Sequence, residues 1–229
     1  MFATPRLLRV TPLERGLTLG DFLVPIRLGE RLSSRVRNSL LVGFCTVLIV
    51  IGARLSFYLP DDPLVPVTLQ TFGVLFGGAL LGFRRGLLSV LLYLLVGFAG
   101  APVFGYDQTL HAYRSGLDTV VAVRAGGLAL GATGGYLVGF LFASAAVGRL
   151  AELGWDRHLG GSVAALLLGN AAIYVVGLPW LAASQHLTVA QTLQFGLWPF
   201  VPGDLVKLIV AAGLLPVGWW LVSRRPSDR

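Results

Sequence analysis

Six apolar runs, at about 39–59, 67–83, 86–101, 125–147, 160–183 and 199–222, follow one another along a chain of 229 residues. Nothing else in the sequence narrows the fold so far. A helix needs about 20 apolar residues to cross a hydrocarbon core about 30 Å thick, and there every backbone N–H and C=O must find its partner within the protein. Only 13% of the residues are charged, against about 25% in a soluble domain, and mean hydropathy is +0.77. The pattern predicts an all-α integral membrane protein. Its membrane domain covers 39–222, between an extension at 1–38 and a tail at 223–229. The second and third runs are short and are split only by "GFRRG" (82–86). They read as two short spans or a re-entrant pair, and Arg84 with Arg85 favours two spans joined by a turn at the membrane surface.

The net charge of +7 would suit a nucleic-acid partner, but its distribution argues against one. The extension, Arg84 with Arg85, Arg149 with Arg157, and Arg224, Arg225 and Arg229 hold fourteen of the eighteen basic residues. The segments 60–66 and 184–198 hold none, and 102–124 holds only Arg114 and Arg124. The positive-inside rule is satisfied at every loop by six spans with both termini in the cytoplasm. Residues 1–38 contain seven arginines, three acids and no continuous apolar core, so they do not read as a secretory signal. They are expected to be a partly helical cytoplasmic extension resting on anionic lipid headgroups.

The 30 glycines mostly suit close helix packing in a membrane. "GATGGY" (131–136) stands apart, because adjacent glycines predict a helix break that turns backbone groups towards a cavity. The echo between "TLQTFG" (68–73) and "TLQFGL" (192–197) carries no reading.

Polar residues inside apolar runs are few: Arg54, Gln70, Asn170, Asp204 and Lys207, with Arg124 at an edge. Such residues are costly and are functional candidates by default. Arg54 lies near the end of its run, where it can snorkel to the surface. Asp204 and Lys207, the only lysine, are three residues apart on one helix face. Asp204 follows Pro202-Gly203, in a first turn whose unpaired N–H groups and dipole favour anions. Asn170 and Tyr174 lie one helical turn apart, and Trp180, Trp198 and Phe200 gather at the outer boundary. Together these residues would form a pocket with an amide, an acid, a cation and aromatic walls.

Several chemistries lack their residues. There is no G-x-x-x-x-G-K-[ST], so ATP-driven work would fall to a partner. His111, His158 and His186 lie apart, without metal-ligand spacing. Cys45 is a lone thiol in an apolar run, and Asp204 is the only membrane aspartate. Asp61-Asp62 reads as a solvated turn.

"VPVTLQTFGVLFGGALLGFRRGLLSVLLYLLVGFAGAPVF" (65–104), "GATGGYLVGF" (131–140), "GNAAIYVVGLPWLA" (169–182) and "PFVPGDLVK" (199–207) occur in the order seen in the BioY family, which this chain resembles over about 50–215. That family supplies the substrate-binding S component of energy-coupling-factor (ECF) biotin transporters. The resemblance implies a six-helix S-component bundle in the plasma membrane that captures biotin at the outer face. It also implies a transmembrane coupling subunit and two ATP-binding subunits as partners, with no catalytic residues, metal or cofactor. Lys207 or Arg124 would meet the valerate carboxylate, while Asp204 and Asn170 would meet the ureido ring. Tyr174 and Trp180 would form walls, and Gln70 and Thr133 are further candidate contacts. Three departures are visible. Ala132 stands where the family commonly carries proline, the segment 105–127 is long, and residues 1–38 are an extension. An S component for another vitamin, a structural membrane protein, and a membrane enzyme with Asp204 as base and Asp61-Asp62 on a metal remain as alternatives.

The charge pattern gives a labelling test. Single cysteines at Asp62 and His186 should react with an impermeant thiol reagent from outside intact cells, whereas one at Arg85 should not. Labelling of Arg85→Cys from outside would overturn the arrangement.

Overall fold

The computed structural model describes residues 16–23, 33–59, 62–107, 111–124 and 127–223. Among the described residues, five helices are long and apolar enough to cross a membrane: α2 (Ser34–Arg54), α3 (Gln70–Phe98), α4 (Gly134–Glu152), α5 (Leu159–Gln185) and α7 (Val201–Ser223). A short α1 (Gly20–Leu23) precedes them, and α6 (Val189–Gly196) lies between α5 and α7. Ser33 starts α2 by accepting the Val36 N–H, and Thr188 with Gln191 forms a reciprocal cap at the start of α6.

A straight α3 would be about 43 Å long, well beyond the hydrocarbon thickness. It does not run straight. Gly82 has φ +81° and ψ −178°, and the chain reverses there. Gln70 and Tyr93, 23 residues apart, are joined side chain to side chain. That contact requires the arms 70–81 and 83–98 to lie antiparallel. Gly82 is bound to be glycine twice over: its positive φ disfavours a side chain, and a Cβ there would sit 2.8 Å from Glu152 Oε1. Glycine also lets α4 cross the turn closely, because a Cβ on Gly148 would fall 2.5 Å from the Gly82 carbonyl carbon. Of "GFRRG" (82–86) only Gly82 leaves the helical conformation, and residues 83–86 already belong to the second arm.

The expected all-α class needs amendment at the end remote from this turn. Three antiparallel strand pairs stand there: β1 (Ser56–Leu59) with β2 (Asp62–Thr68), β3 (Tyr106–Asp107) with β4 (Ala112–Tyr113), and β5 (Val121–Arg124) with β6 (Gly127–Leu130). The run at 125–147 is therefore hairpin first and helix only from Gly134. "GATGGY" begins α4 rather than breaking it, with Thr133 at the cap position. Its glycines admit Trp180, whose Cβ would lie 2.2 Å from a Cβ on Gly135. Arg54 braces this end: it donates to the Pro102 carbonyl at 2.7 Å and stacks on Tyr113 at 4.0 Å.

The core runs through the bundle from Leu19 and Leu81 to Phe104 and Tyr136. The outward stripe of α2, comprising Leu40, Phe44, Val47 and Ile51, is exposed, as a lipid-facing surface would be. Part of the extension also packs on the bundle. Thr18 and Leu19 are buried, the Gly16 N–H donates to the Glu152 carbonyl, and Asp21 pairs with Arg85 at 2.7 Å. The expectations for 1–15, 24–32, 60–61, 108–110, 125–126 and 224–229, including Asp61 and the terminal arginines, fall outside the described residues.

Asp156, in the turn between α4 and α5, is 1% exposed. It accepts from Trp219 Nε1 of α7 at 2.6 Å, and Arg157 stacks over the same indole at 4.6 Å. Burial pushes its carboxyl up to about 6, against the opposing Trp219 hydrogen bond and the Arg157 charge. The folded protein therefore holds this proton more tightly than the unfolded chain, whose carboxyl titrates near 3.9. Stability from this group is present below about pH 4 and is lost as pH rises to about 6. Asp156→Asn keeps an acceptor for Trp219 and should flatten the change in apparent melting temperature between pH 4 and 6. An unchanged profile in the variant would assign the dependence elsewhere.

Candidate functional site

Asp204 sits in the first turn of α7, and its carboxylate is 6% exposed. Burying a lone carboxylate would cost several kcal/mol, so donors must converge on it. One oxygen accepts from Lys207 Nζ at 2.9 Å and from Thr71 Oγ1 at 3.5 Å. The other accepts from the Tyr174 hydroxyl at 2.5 Å and from Asn170 Nδ2 at 3.2 Å. These donors come from α3, α5 and α7. Lys207 also donates to Thr71 Oγ1 at 3.1 Å, which leaves one ammonium proton for another acceptor. The carboxylate, by contrast, already has four donors, about as many as its lone pairs accommodate.

The sequence dictates much of this locally. The i, i+3 spacing puts Asp204 and Lys207 on one face, and the i, i+4 spacing aligns Asn170 with Tyr174. Thr71 stands here because β2 ends at Thr68 and leads directly into α3, which puts the start of that helix at the strand-bearing end. Gln70 is buried, accepts from the Thr68 hydroxyl at 3.3 Å and donates to Tyr93. It thereby fixes the arms of α3 beside the site.

A narrow cavity of about 60 Å³ opens against this cluster. Asp204, Lys207, Thr71, Gln70, Thr133 and Tyr174 supply its polar wall, and Phe104, Tyr136, Phe140, Ile173 and Phe200 its apolar wall. Asn170 stands behind Asp204, in a smaller recess shared with Thr71 and Lys207, and its Oδ1 is buried without a hydrogen-bond partner. Sites for small molecules are typically about 300–1,000 Å³, so a ligand of that size must open this one. A larger open groove lies near the Gly82 turn. That groove holds Glu152, Asn38 and three arginines but no phenol, and its only acid meets Arg149 at 3.0 Å at an exposed position, so the small cavity, where four donors converge on one buried acid, is the candidate site.

Of the residues expected at a site, Asp204, Lys207, Tyr174, Gln70 and Thr133 line this cavity, with Asn170 adjoining. Trp180 does not line it: its indole packs on Gly134 and Gly135 and donates to the Gly131 carbonyl at 2.9 Å. Arg124 belongs to β5, paired with Gly127, and its side chain lies outside what is described. Sequence reasoning missed Thr71, Thr68 and Tyr136. "TLQTFG" was visible but spoke only as a repeat, and a threonine in an apolar run draws little notice. Tyr136 crosses to donate to the Gly196 carbonyl at 2.9 Å. That contact joins α4 to the second echo segment, a link no local pattern contains.

A sequence model described as the BioY family matches residues 27–224. Among curated proteins, "Biotin transporter BioY" of Thermotoga maritima is 36% identical, over 77% of this chain and 92% of that protein. The protein of the same description from Rhodobacter capsulatus is 34% identical, over 83% and 96%. The one from Rhizobium etli is 31% identical, over 80% and 94%. A solved structure, described as the S-component for biotin from an ECF-type ABC transporter, superposes with a TM-score of 0.67 at 26% identity, covering 81% of this chain and 93% of that one.

The Thr71 contact is testable by itself. Thr71→Val keeps the shape but removes the acceptor for Lys207, and a hydrogen bond to a charged group is worth about 1.5–3 kcal/mol. The variant should melt lower in detergent, and Thr71→Ser should recover most of the loss. Loss in Thr71→Ser with none in Thr71→Val would point to packing of the methyl group instead.

Proposed function

The chain belongs to the BioY family, and from that premise we propose that it is the biotin-capturing membrane component of an energy-coupling-factor transporter. It is a transport component and not an enzyme. Its relatives carry a biotin-transporter description over most of their length, and the fold neighbour is an S component for biotin.

The observation that carries the reading of the site is the contact between Asp204 and Lys207 at 2.9 Å. An acid and a base this close suit a ligand with an N–H and a C=O side by side, as in the ureido ring of biotin. The valerate carboxylate lies the length of its chain away from that ring, too far for the same pair to hold both ends. We therefore assign Asp204 and Lys207 to the ureido group, which leaves Arg124, the other cation weighed from sequence, for the carboxylate. Of the two cations weighed from sequence for that role, Lys207 becomes the less suitable.

Because Asp204 is already fully engaged, the ligand must exchange with one of its donors. Tyr174 is the natural one. Its hydroxyl turns from Asp204 to the ureido carbonyl beside Lys207, while a ureido N–H takes its place on the carboxylate. The number of hydrogen bonds on Asp204 is conserved, so the buried charge is never stranded. Phe104, Tyr136 and Phe200 would enclose the thioether ring and the methylenes. Trp180 holds the mouth of the site by anchoring the start of α4.

The reversal at Gly82 supports six crossings, and the arginine pattern supports cytoplasmic termini. Both fit a plasma-membrane protein whose cavity faces outward. A coupling subunit and two ATP-binding subunits would drive release, since the chain has no nucleotide loop of its own.

Titration calorimetry of the purified protein with biotin, its uncharged amide and other vitamins tests this reading. Biotin should bind, and unrelated vitamins should not. Lys207→Gln should weaken biotin and the amide alike, by about 1.5–3 kcal/mol, whereas Arg124→Gln should weaken biotin much more than the amide. A selective loss of biotin in Lys207→Gln would return the carboxylate to Lys207. Absence of biotin binding by the wild-type protein would overturn the function.

A further inference from the structure

An open groove of about 1180 Å³ lies beside the Gly82 turn, at the end of the bundle where arginines gather. One wall is a leucine stripe on the second arm of α3: Leu88, Leu91, Leu92 and Leu95. All four are more than a third exposed. Their spacing of three, four and seven residues keeps them on one face. The facing wall is Asn38, Ser39 and Val42, from the first two turns of α2. Arg84 and Arg149 stand at the mouth. Arg84 is exposed and has no ion pair or hydrogen bond among the described residues. Arg149 meets Glu152 at 3.0 Å, yet its side chain remains 62% exposed. Arg85, by contrast, is committed to Asp21 and Thr18.

We propose that this groove is a binding site for one anionic glycerophospholipid, its phosphate held by Arg84 and Arg149 and an acyl chain lying along the leucine stripe. Two features select this occupant. The polarity runs from exposed cations, with Glu152 held by Arg149 and with Asn38 and Ser39 beside them, to the leucine stripe and Val42 beyond, which is the polarity of a single lipid within one leaflet. The length agrees as well. From Arg84 to Leu95 the arm rises about 16 Å, about half of a 30 Å hydrocarbon core. A partner's spanning helix would need an apolar face along the whole thickness, whereas the α2 wall stops at Val42. Such a lipid would wedge α2 against the Gly82 turn, next to the Asp21–Arg85 contact that seats the extension. The inference rests on the membrane-spanning reading of the helices and is independent of what the cavity at the other end binds.

Native mass spectrometry of the full-length protein in mild detergent tests it, with phosphatidylglycerol and phosphatidylcholine of identical acyl chains as probes. One phosphatidylglycerol should be retained in preference to phosphatidylcholine by about tenfold or more, as two arginines near a phosphate allow. The double variant Arg84→Gln/Arg149→Gln should lose the preference, and Leu88→Trp/Leu92→Trp should lower retention of both lipids. Inorganic phosphate should not displace the bound lipid. Biotin titration of each variant reports separately on folding and on the function proposed above. Equal retention of the two lipids, retention of neither, displacement by phosphate, or an unchanged preference in the arginine variant would each overturn the proposal.

Discussion

The reversal at Gly82 is the constraint on which the arrangement of this bundle depends. Twenty-nine residues that look like one helix must fold back, because a straight rod of that length does not fit a bilayer. Glycine makes the turn possible by taking a positive φ and by yielding space to Glu152 and to Gly148 of α4. Its consequence appears at the opposite end of the molecule. The second arm of α3 returns there, so that Tyr93 meets Gln70 beside Thr71, Lys207 and Asp204. Without the reversal, Tyr93 would stand at the far end of the helix and Gln70 would lose its partner.

The site itself follows from the cost of a buried carboxylate. Asp204 is tolerated because Lys207, Thr71, Tyr174 and Asn170 converge on it. The same saturation restricts mechanism, since a ligand can bind the acid only by replacing a donor. The narrow cavity of about 60 Å³ and the fully satisfied acid are two aspects of one state, in which the polar groups are paired with each other. Under the function proposed above, complementarity to the ligand is the use the chain has for the pair.

The two ends of the bundle differ in kind. The strand-bearing end carries short hairpins, an arginine braced on Tyr113, and the polar cluster. The other end gathers arginines, a buried Asp156 clasped by Trp219, and an extension segment docked through Asp21. The docking of residues 16–23 departs from the picture of an extension lying only on headgroups. Apolar Leu19 has a place between helices beside Gly218, and burial there outweighs exposure at a surface.

Sequence by itself determined the membrane class, the grouping of basic residues in alternate loops, the scarce polar set, and, through its ordered motifs, the family. Each of these is a sum of local terms: transfer free energies of segments, charges of loops, and i, i+3 or i, i+4 spacing on one helix. Asp204 beside Lys207 and Asn170 above Tyr174 were legible for that reason. Tertiary structure decided everything that depends on contacts between distant segments. It brought Thr71 across 133 residues to Asp204 and sent Trp180 to Gly131 rather than into the cavity. It also turned the start of the fourth apolar run into a hairpin. Hydropathy cannot separate a buried strand from a helix in a short run, and it does not encode which face of a helix meets which neighbour. Those choices are made by packing, where a glycine at one crossing or a donor for one stranded charge outweighs the local preference of the segment.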